Sequence, residues 1–302
     1  MNLDFIAGPL GQFLMFIYKT VAFENYGLAI VIFTLVVKLL LLPLTLKQYK
    51  SSAKMQELQP IINDLQRKYK NDREKFNQEL MKLYQEHNYN PASGCLPLLI
   101  QMPILLSLYW VISQPLKFML RKPAETIQKL VDVAKTSLGA SAAQFGNQAE
   151  LFTLNFFHDN PDALSKVPGL LDRSELIDFN NFLGLHLGKT PTYKPGLLFG
   201  PEAYIYIPLF ILVIVAVAST YISSRLAMPR NTDSKKQDAP AAGMANSMMY
   251  IGPIMTLVLA FQLPAGLLLY WTVGYIFTIF QQLYINKYIL KRGKKQEEDT
   301  AK

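Results

Sequence analysis

Five apolar stretches dominate this sequence, and each is long enough, or nearly so, to cross the hydrocarbon core of a bilayer as a helix. A crossing helix needs about 20 mainly apolar residues. The stretches are residues 27–46, 96–112, 204–222, 248–263 and 267–285. Such runs also form buried core helices, but five of them in 302 residues, with few charges inside, favour a membrane bundle. We therefore predict an all-α membrane protein with five spans.

The composition supports this class and argues against several others. Only 17% of the residues are charged, whereas soluble domains contain about a quarter. Cys95 is the single cysteine, and His87, His158 and His186 show no metal-ligand spacing. The sequence also lacks the glycine-rich, nucleophile-elbow and zinc-peptidase motifs of common enzyme classes. We therefore expect no enzymatic activity, no cofactor and no metal site.

The distribution of charge predicts the orientation of the chain. Residues 47–92 carry nine Lys and Arg against six acids, residues 223–247 four against two, and the tail 286–302 six against three. Residues 113–202 are balanced, with nine of each. Basic loops stay in the cytoplasm, which predicts a plasma-membrane protein with its N-terminus outside and its C-terminus inside.

Three segments outside the spans have patterns of their own. Residues 1–26 predict an amphipathic helix in the membrane interface, with a short extra span as the alternative. Residues 47–92 predict a cytoplasmic helical hairpin with a turn at Asn71-Asp72, either a solvated connector or a surface for a partner. The tail 286–302 is basic and then acidic, which is typical of a disordered end or of a segment that binds anionic lipid or ribosomal RNA. The two apolar stripes of the hairpin are Met55, Leu58, Ile62, Leu65 and Tyr69, and Phe76, Leu80, Leu83 and His87.

Lys38 lies within the first span, about 12 Å from its cytoplasmic end at 1.5 Å per residue. Inserting a lysine at the centre of a span costs about 2.5–3.5 kcal/mol of free energy, so we expect the Lys38 side chain to face protein or water. No acidic residue lies within the five predicted spans. One interpretation is a cation in a wet cavity that attracts anions or acidic peptide; the other is a lysine that snorkels or binds backbone carbonyls. Gln101, Thr220 and Thr272 are polar residues that either line the same cavity or bond neighbouring helices.

Short motifs in a fixed order give the chain a resemblance to the bacterial YidC membrane-protein insertases and the related organellar Oxa and Alb proteins. The resemblance covers roughly residues 25–112 and 200–290. The motifs are Lys38 with Leu39-Leu40-Leu41-Leu42-Pro43-Leu44-Thr45, Ala53-Lys54-Met55, Leu58-Gln59-Pro60, Asn90-Pro91, Gly94-Cys95-Leu96-Pro97, Gln101-Met102-Pro103-Ile104, Pro264-Ala265-Gly266-Leu267, Leu269-Tyr270-Trp271 and Gln281-Gln282.

The resemblance implies a five-span core that encloses a hydrophilic groove open to cytoplasm and lipid. Family members usually carry an arginine where this chain has Lys38, so the charge is kept. Trp271 matches the family's aromatic residue on the groove side of the last span. Many relatives have a glutamine near the cytoplasmic end of the third span, where this chain has Ser223 and Ser224. The large outer domain of Gram-negative members is absent.

These patterns together predict a membrane-protein insertase and chaperone. Its partners are nascent membrane proteins and the bilayer, with the ribosome, the Sec translocon and the signal-recognition machinery as further candidates and no DNA. Two other classes stay open: a secondary transporter with Lys38 in its substrate site, and a non-translocating assembly scaffold. Transporters commonly show paired repeats, which this sequence lacks.

Overall fold

The computed structural model describes residues 3–90, 96–139, 146–227, 240–285 and 287, and the described residues form helices joined by turns, with no β-strand. This confirms the predicted all-α class. The helices are α1 (Asp4–Thr20), α2 (Tyr26–Leu40), α3 (Leu42–Lys68), α4 (Arg73–Glu86), α5 (Leu96–Ser113), α6 (Pro115–Phe118), α7 (Ala124–Leu138), α8 (Ala149–Asp159), α9 (Pro195–Leu198), α10 (Ala203–Ala227), α11 (Pro240–Ala260) and α12 (Ala265–Tyr284).

The first predicted span, 27–46, is not one straight helix. It is divided at Leu41 between α2 and α3, which are bent by 61° relative to each other. Pro43 lies in the first turn of α3. A proline suits this position because its missing N–H would have no partner there, so Pro43 accounts for the new start. Lys38 therefore lies in the last turn of α2 and not in the middle of a longer helix.

Helix length and apolarity identify the candidates for membrane crossing. Among the described residues α10, with 25 residues, meets both criteria alone, and α2 with α3 meets them as a bent pair. The shorter apolar helical segments are Gln101–Ser113 and Tyr250–Ala260. The count of five spans stays a prediction.

The chain divides into two compact units. The first unit comprises Met1–Val37, Met102–Val217 and Thr256–Gly274, and the second comprises Lys38–Gln101, Ala218–Met255 and Tyr275–Lys302. We describe each unit separately.

In the first unit, α1 packs against α6 through close polar and backbone contacts. The Gln12 amide donates to the carbonyl oxygens of Phe118 and Met119, at 2.7 and 3.1 Å, and Lys117 pairs with Asp4 at 3.0 Å. The buried face of α1 contains Gly11, Leu14 and Tyr18, whereas Phe5 and Phe16 on other faces are exposed. A helix with one packed face and exposed aromatic residues is typical of an interfacial helix.

A segment outside the α-helices, residues 176–193, covers the N-terminal ends of two helices in the same unit through its buried residues, among them Phe179 and Leu187. Phe179 packs edge-on against Tyr26 at the start of α2, with ring centroids 4.7 Å apart. The carbonyls of Leu187 and Lys189 accept the first N–H groups of α12, from Gly266 and Ala265, at 2.9 Å each. Because the first N–H groups of a helix have no partner inside it, these carbonyls supply the missing acceptors. The segment therefore fixes where α12 begins.

Glu150 is a buried carboxylate in the first unit, at the start of α8, with 8% of its surface exposed. Its Oε2 accepts the backbone N–H of Lys117 at 2.8 Å, which connects α8 to α6. Burial raises the pKa of Glu150 to about 7, although the hydrogen bond from Lys117 lowers it in part. The folded protein therefore favours the protonated form of Glu150 more than the unfolded chain does.

The second unit contains the helical hairpin of α3 and α4. Leu58, Ile62 and Leu83 form its buried core. Asp72 begins α4 by accepting the backbone N–H of Lys75 at 3.0 Å, an N-cap of the usual kind. The further side chains packed on this core are Met55, Leu65, Phe76, Leu80, Tyr84 and Tyr89, so most of both predicted stripes contribute.

The two glycines of α1 provide a matched test of its packing. A Cβ at Gly11 would lie 2.6 Å from the carbonyl oxygen of Phe118, whereas a Cβ at Gly8 would meet nothing within 4 Å. We expect Gly11→Ala to separate α1 from α6 and to lower the thermal unfolding temperature in detergent. Gly8→Ala is expected to be neutral or stabilising by about 0.5–1 kcal/mol, since alanine favours helix. Equal stability of the two variants would contradict this packing.

The ionisation of Glu150 makes a prediction about pH. Its pKa in the folded protein, about 7, exceeds the ordinary 4.5, so its stabilising contribution is complete below pH 4.5 and is lost as the pH rises through 7. We expect Glu150→Gln to remove a decline on the order of 2–3 kcal/mol in the free energy of unfolding over that range. The measurement is denaturant unfolding at several pH values, with exposed Glu125→Gln as the control. An unchanged slope in Glu150→Gln would contradict it.

Candidate functional site

Lys38 makes the central polar contact of the second unit. Its Nζ donates a hydrogen bond to the Thr278 hydroxyl of α12 at 3.1 Å, and the side chain is half-buried. Among the described residues no ion pair joins Lys38 to an acid. A neutral hydroxyl does not cancel the charge of the lysine, so the partly buried cation can still attract an anionic group.

The break between α2 and α3 positions this cation. The last carbonyls of a helix carry partial negative charge, which stabilises a cation such as Lys38 in the final turn. Leu39 and Leu40, which follow, are 56% and 73% exposed. The end of α2 therefore combines a half-buried charge with an apolar outer surface.

Two further polar side chains follow Thr278 on α12. Residues three and four positions apart share one face of a helix, so Gln281 and Gln282 lie on the same side as Thr278. The Gln282 side chain is hydrogen-bonded to the Tyr49 hydroxyl of α3. Lys38–Thr278 and Tyr49–Gln282 are thus two successive polar contacts made by α12 with α2 and then α3.

The hydroxyl residues of α10 lie at a close helix contact with α11. Ser219, Thr220 and Ser223 are all buried. Gly252 of α11 is so near that a Cβ there would lie 3.5 Å from the Thr220 Cγ2 and from the Ser224 Oγ. Thr220 therefore contributes to packing between these helices, and its role in a groove stays a prediction.

The other predicted site residues are distributed over both units. Gln101 is half-buried on α5 in the second unit. Trp271 and Thr272 belong to the first unit, where Trp271 is half-buried and the Thr272 hydroxyl donates to the Leu268 carbonyl at 2.7 Å. That bond satisfies Thr272 within its own helix. The described contacts therefore join Lys38 to Thr278. That the other predicted residues form one site with Lys38 stays a prediction.

Sequence reasoning missed Thr278 and Tyr49. Thr278 carries a recognisable signal, because it precedes Gln281 and Gln282 by three and four positions and completes a polar stripe on an apolar helix. Tyr49 carries none, because tyrosine is common near membrane interfaces and its partner becomes clear only from the path of α3.

The site offers one cation together with neutral donors and acceptors. In the part of the chain that is described, no three His, Cys, Asp or Glu side chains cluster in a way that would hold a metal ion. Such a set of groups can form hydrogen bonds and attract negative charge.

Comparisons with known proteins match nearly the whole chain. The model of the family described as 60Kd inner membrane protein matches residues 16–292, which includes the segment 113–202 that the motif resemblance did not cover. Membrane protein insertase YidC of Clostridium perfringens is 35% identical, over 91% of this chain and 84% of that protein. Membrane protein insertase YidC 2 of Listeria innocua is 32% identical, over 92% and 69%.

One further relative and one solved structure are similar to this chain. Membrane protein insertase MisCA of Bacillus subtilis is 28% identical over 99% of this chain and 84% of its own length. Among solved structures, one described as an active YidC insertase with its first transmembrane domain resolved is 24% identical, with a TM-score of 0.48. The match covers 95% of this chain and 47% of that chain.

The hydrogen bond between Lys38 and Thr278 can be tested by a double-mutant cycle. We expect Thr278→Val to lower the free energy of unfolding in detergent by about 1–2 kcal/mol, because it leaves a charged donor without its partner. In a Lys38→Met background the same substitution is expected to cost less, and the difference between the two backgrounds measures the energy of the Lys38–Thr278 hydrogen bond. Lys38→Met alone is expected to be at least as stable as the unchanged protein, since a partly buried charge is removed. Equal losses in both backgrounds would show that the two side chains do not interact.

Proposed function

The chain belongs to the 60Kd inner membrane protein family, and on that premise we propose that it is a membrane-protein insertase of a bacterial plasma membrane. The observation that carries this proposal is the 35% identity to a curated YidC insertase over 91% of the chain. Its substrates are nascent membrane proteins, which it transfers into the lipid bilayer without a covalent step.

The proposed arrangement in the membrane has five spans. They are α2 with the first turns of α3, then α5, α10, α11 and α12, with the N-terminus outside and the C-terminus in the cytoplasm. The basic hairpin of α3 and α4 then lies in the cytoplasm, and α6 to α9 lie outside. The packed face and exposed aromatic residues of α1 support an interfacial position for that helix.

The proposed groove surrounds Lys38 in the second unit. Gln101, Thr220 and Ser223 are its further polar candidates there, while Trp271 and Thr272 stay candidates from the resemblance and the sequence pattern. The hydrophilic tail of a substrate enters the groove from the cytoplasm and is attracted by the lysine if it is acidic. The hydrogen bond to neutral Thr278 supports this role, because the lysine charge is not cancelled by it.

The apolar segment of the substrate moves along the exposed faces of α10 and α12 into lipid. Within the second unit, Ile222 of α10 is 47% exposed, and Phe280 and Leu283 of α12 are 67% and 50% exposed. Each buried CH₂ group contributes about 0.8 kcal/mol, so transfer of an apolar segment supplies the driving force. The membrane potential assists acidic tails.

The ribosome, the Sec translocon and the signal-recognition machinery are proposed partners for delivery. The basic tail 286–302 is the candidate contact for ribosomal RNA, and it lies outside the described residues except for 287. The basic hairpin is the second candidate surface.

Two other functions make different predictions. A secondary transporter would accumulate a small solute in vesicles, and a scaffold would bind membrane proteins without moving their tails. If the reconstituted protein transfers the tail of a single-span substrate into protease-protected space, the scaffold function is excluded. If the vesicles take up no solute, the transporter function is excluded.

The proposed orientation can be tested with two cysteines. Asn71, between α3 and α4, and Asn147, before α8, are both exposed. In a Cys95→Ser background, we expect a membrane-impermeant maleimide to label Asn71→Cys only from the cytoplasmic side and Asn147→Cys only from the outer side. Labelling of both positions from one side would end the five-span arrangement.

The role of the Lys38 charge can be tested with substrates that differ only in tail charge. We expect Lys38→Arg to keep activity, Lys38→Ala to slow the insertion of acidic-tailed substrates, and Lys38→Glu to slow it further by repulsion. Neutral-tailed substrates are expected to change less, since apolar transfer dominates their insertion. The measurement is protease protection after insertion into liposomes. Equal rates for Lys38→Glu and the unchanged protein on acidic tails would refute the electrostatic role.

A further inference from the structure

Two turns of the first unit hold a bulky apolar side chain in an unfavourable backbone conformation. Phe23 lies between α1 and α2, and Leu183 lies in the segment 176–193. Their φ angles are 50° and 52°, in the left-handed region that bulky residues rarely adopt, because the Cβ there approaches the following carbonyl oxygen. Both side chains are 85% exposed, and no other large apolar side chain of the described residues is more exposed. Backbone strain of this kind clusters at functional sites.

The two turns have the same geometry. In residues 22–25 and again in residues 182–185, the backbone N–H of the fourth residue donates to the carbonyl of the first at 2.8 Å. Both central residues have positive φ in each turn. This is the pattern of a type I′ turn, whose central positions are usually occupied by Gly, Asn or Asp. Phe23 and Leu183 occupy the same position in their turns, the first of the two central residues.

Contacts of neighbouring residues join these turns to each other. The side-chain amide of Asn25 donates to the Asn181 carbonyl, which connects the first turn to the second. Gly27 at the start of α2 leaves room for the Phe182 ring, since a Cβ at position 27 would overlap that ring. Phe23 and Leu183 therefore project from two turns that adjoin each other.

An exposed aromatic face of α1 leads to the first turn. Phe5, Phe13 and Phe16 lie on one face of α1, and all three are exposed. After Phe23, the chain enters α2 within three residues, and α2 is the first half of the bent pair that is long and apolar enough to cross a membrane. Phe23 therefore stands between an exposed aromatic helix face and the beginning of a candidate span.

We propose that Phe23 and Leu183 form a wedge that inserts among the acyl chains of the outer leaflet, beside the first span. The wedge is separate from the groove, and the proposed orientation is used only to name the leaflet. Insertion buries two large apolar side chains, and this burial offsets the cost of the left-handed backbone. Lipid is favoured over a protein partner because the wedge continues the exposed aromatic face of α1 and adjoins the start of a span.

Nitroxide labels at the two positions test whether the wedge lies in lipid. Phe23→Cys and Leu183→Cys are labelled singly in the full-length Cys95→Ser protein, in nanodiscs of phosphatidylethanolamine and phosphatidylglycerol. Electron paramagnetic resonance then measures the collision rates of each label with oxygen and with a water-soluble nickel chelate. We expect oxygen to collide faster than nickel at both positions, because oxygen concentrates among acyl chains. At the exposed control Asn147→Cys the opposite order is expected.

Asparagine at both positions removes the wedge without disfavouring the turns. Because asparagine is accepted at the centre of a type I′ turn, we expect Phe23→Asn with Leu183→Asn not to lower the thermal unfolding temperature in detergent. With the nitroxide at Phe16→Cys, the asparagine pair is expected to raise the nickel collision rate about twofold, since α1 then lies closer to water. The exchange Phe23→Leu with Leu183→Phe keeps an apolar pair and is expected to leave that rate unchanged.

Three results would overturn the wedge. Faster collision with nickel than with oxygen at either position would place that side chain in water. Loss of collision with both reagents would place it against protein, and broadening of the spectrum by a second label would identify that protein as another copy of the chain. An unchanged nickel rate at Phe16 in the asparagine pair would show that the position of α1 does not depend on the two side chains.

Discussion

The hydrogen bond from Lys38 to Thr278 connects the end of α2 to α12, and the proposed activity depends on it. A lysine within an apolar segment is unfavourable unless water or a polar group meets it. The hydroxyl of Thr278 meets that need without cancelling the charge. Had the partner been a carboxylate, the pair would have been neutral and would have attracted acidic tails only weakly.

Contacts within the first unit hold the first turn of α12 in place. The Leu187 and Lys189 carbonyls accept its first N–H groups, and Phe179 in the same segment packs on Tyr26. Within the second unit, the opposite end of the same helix bears Thr278, Gln281 and Gln282.

The sequence predicted the helical class and the apolar stripes of the hairpin, because each depends on a local pattern. It did not predict the break at Leu41, since Pro43 inside an apolar run is equally compatible with a kink or a new helix. It also missed Thr278 and Tyr49, because a contact between residues 240 positions apart depends on how α2 and α12 pack. The Thr272 hydroxyl donates to the Leu268 carbonyl of its own helix, and its predicted role in the groove stays a prediction.

In the proposed groove, the Lys38 cation lies in water-filled space open to the cytoplasm. Thr278→Cys in a Cys95→Ser background places a thiol beside Lys38, and its reaction with anionic and cationic methanethiosulfonates can be timed from each side of the membrane. We expect reaction from the cytoplasmic side only, with the anionic reagent reacting about fivefold faster and this preference lost in Lys38→Met. Failure of both reagents to react from the cytoplasm, or a faster reaction of the cationic one, would contradict it.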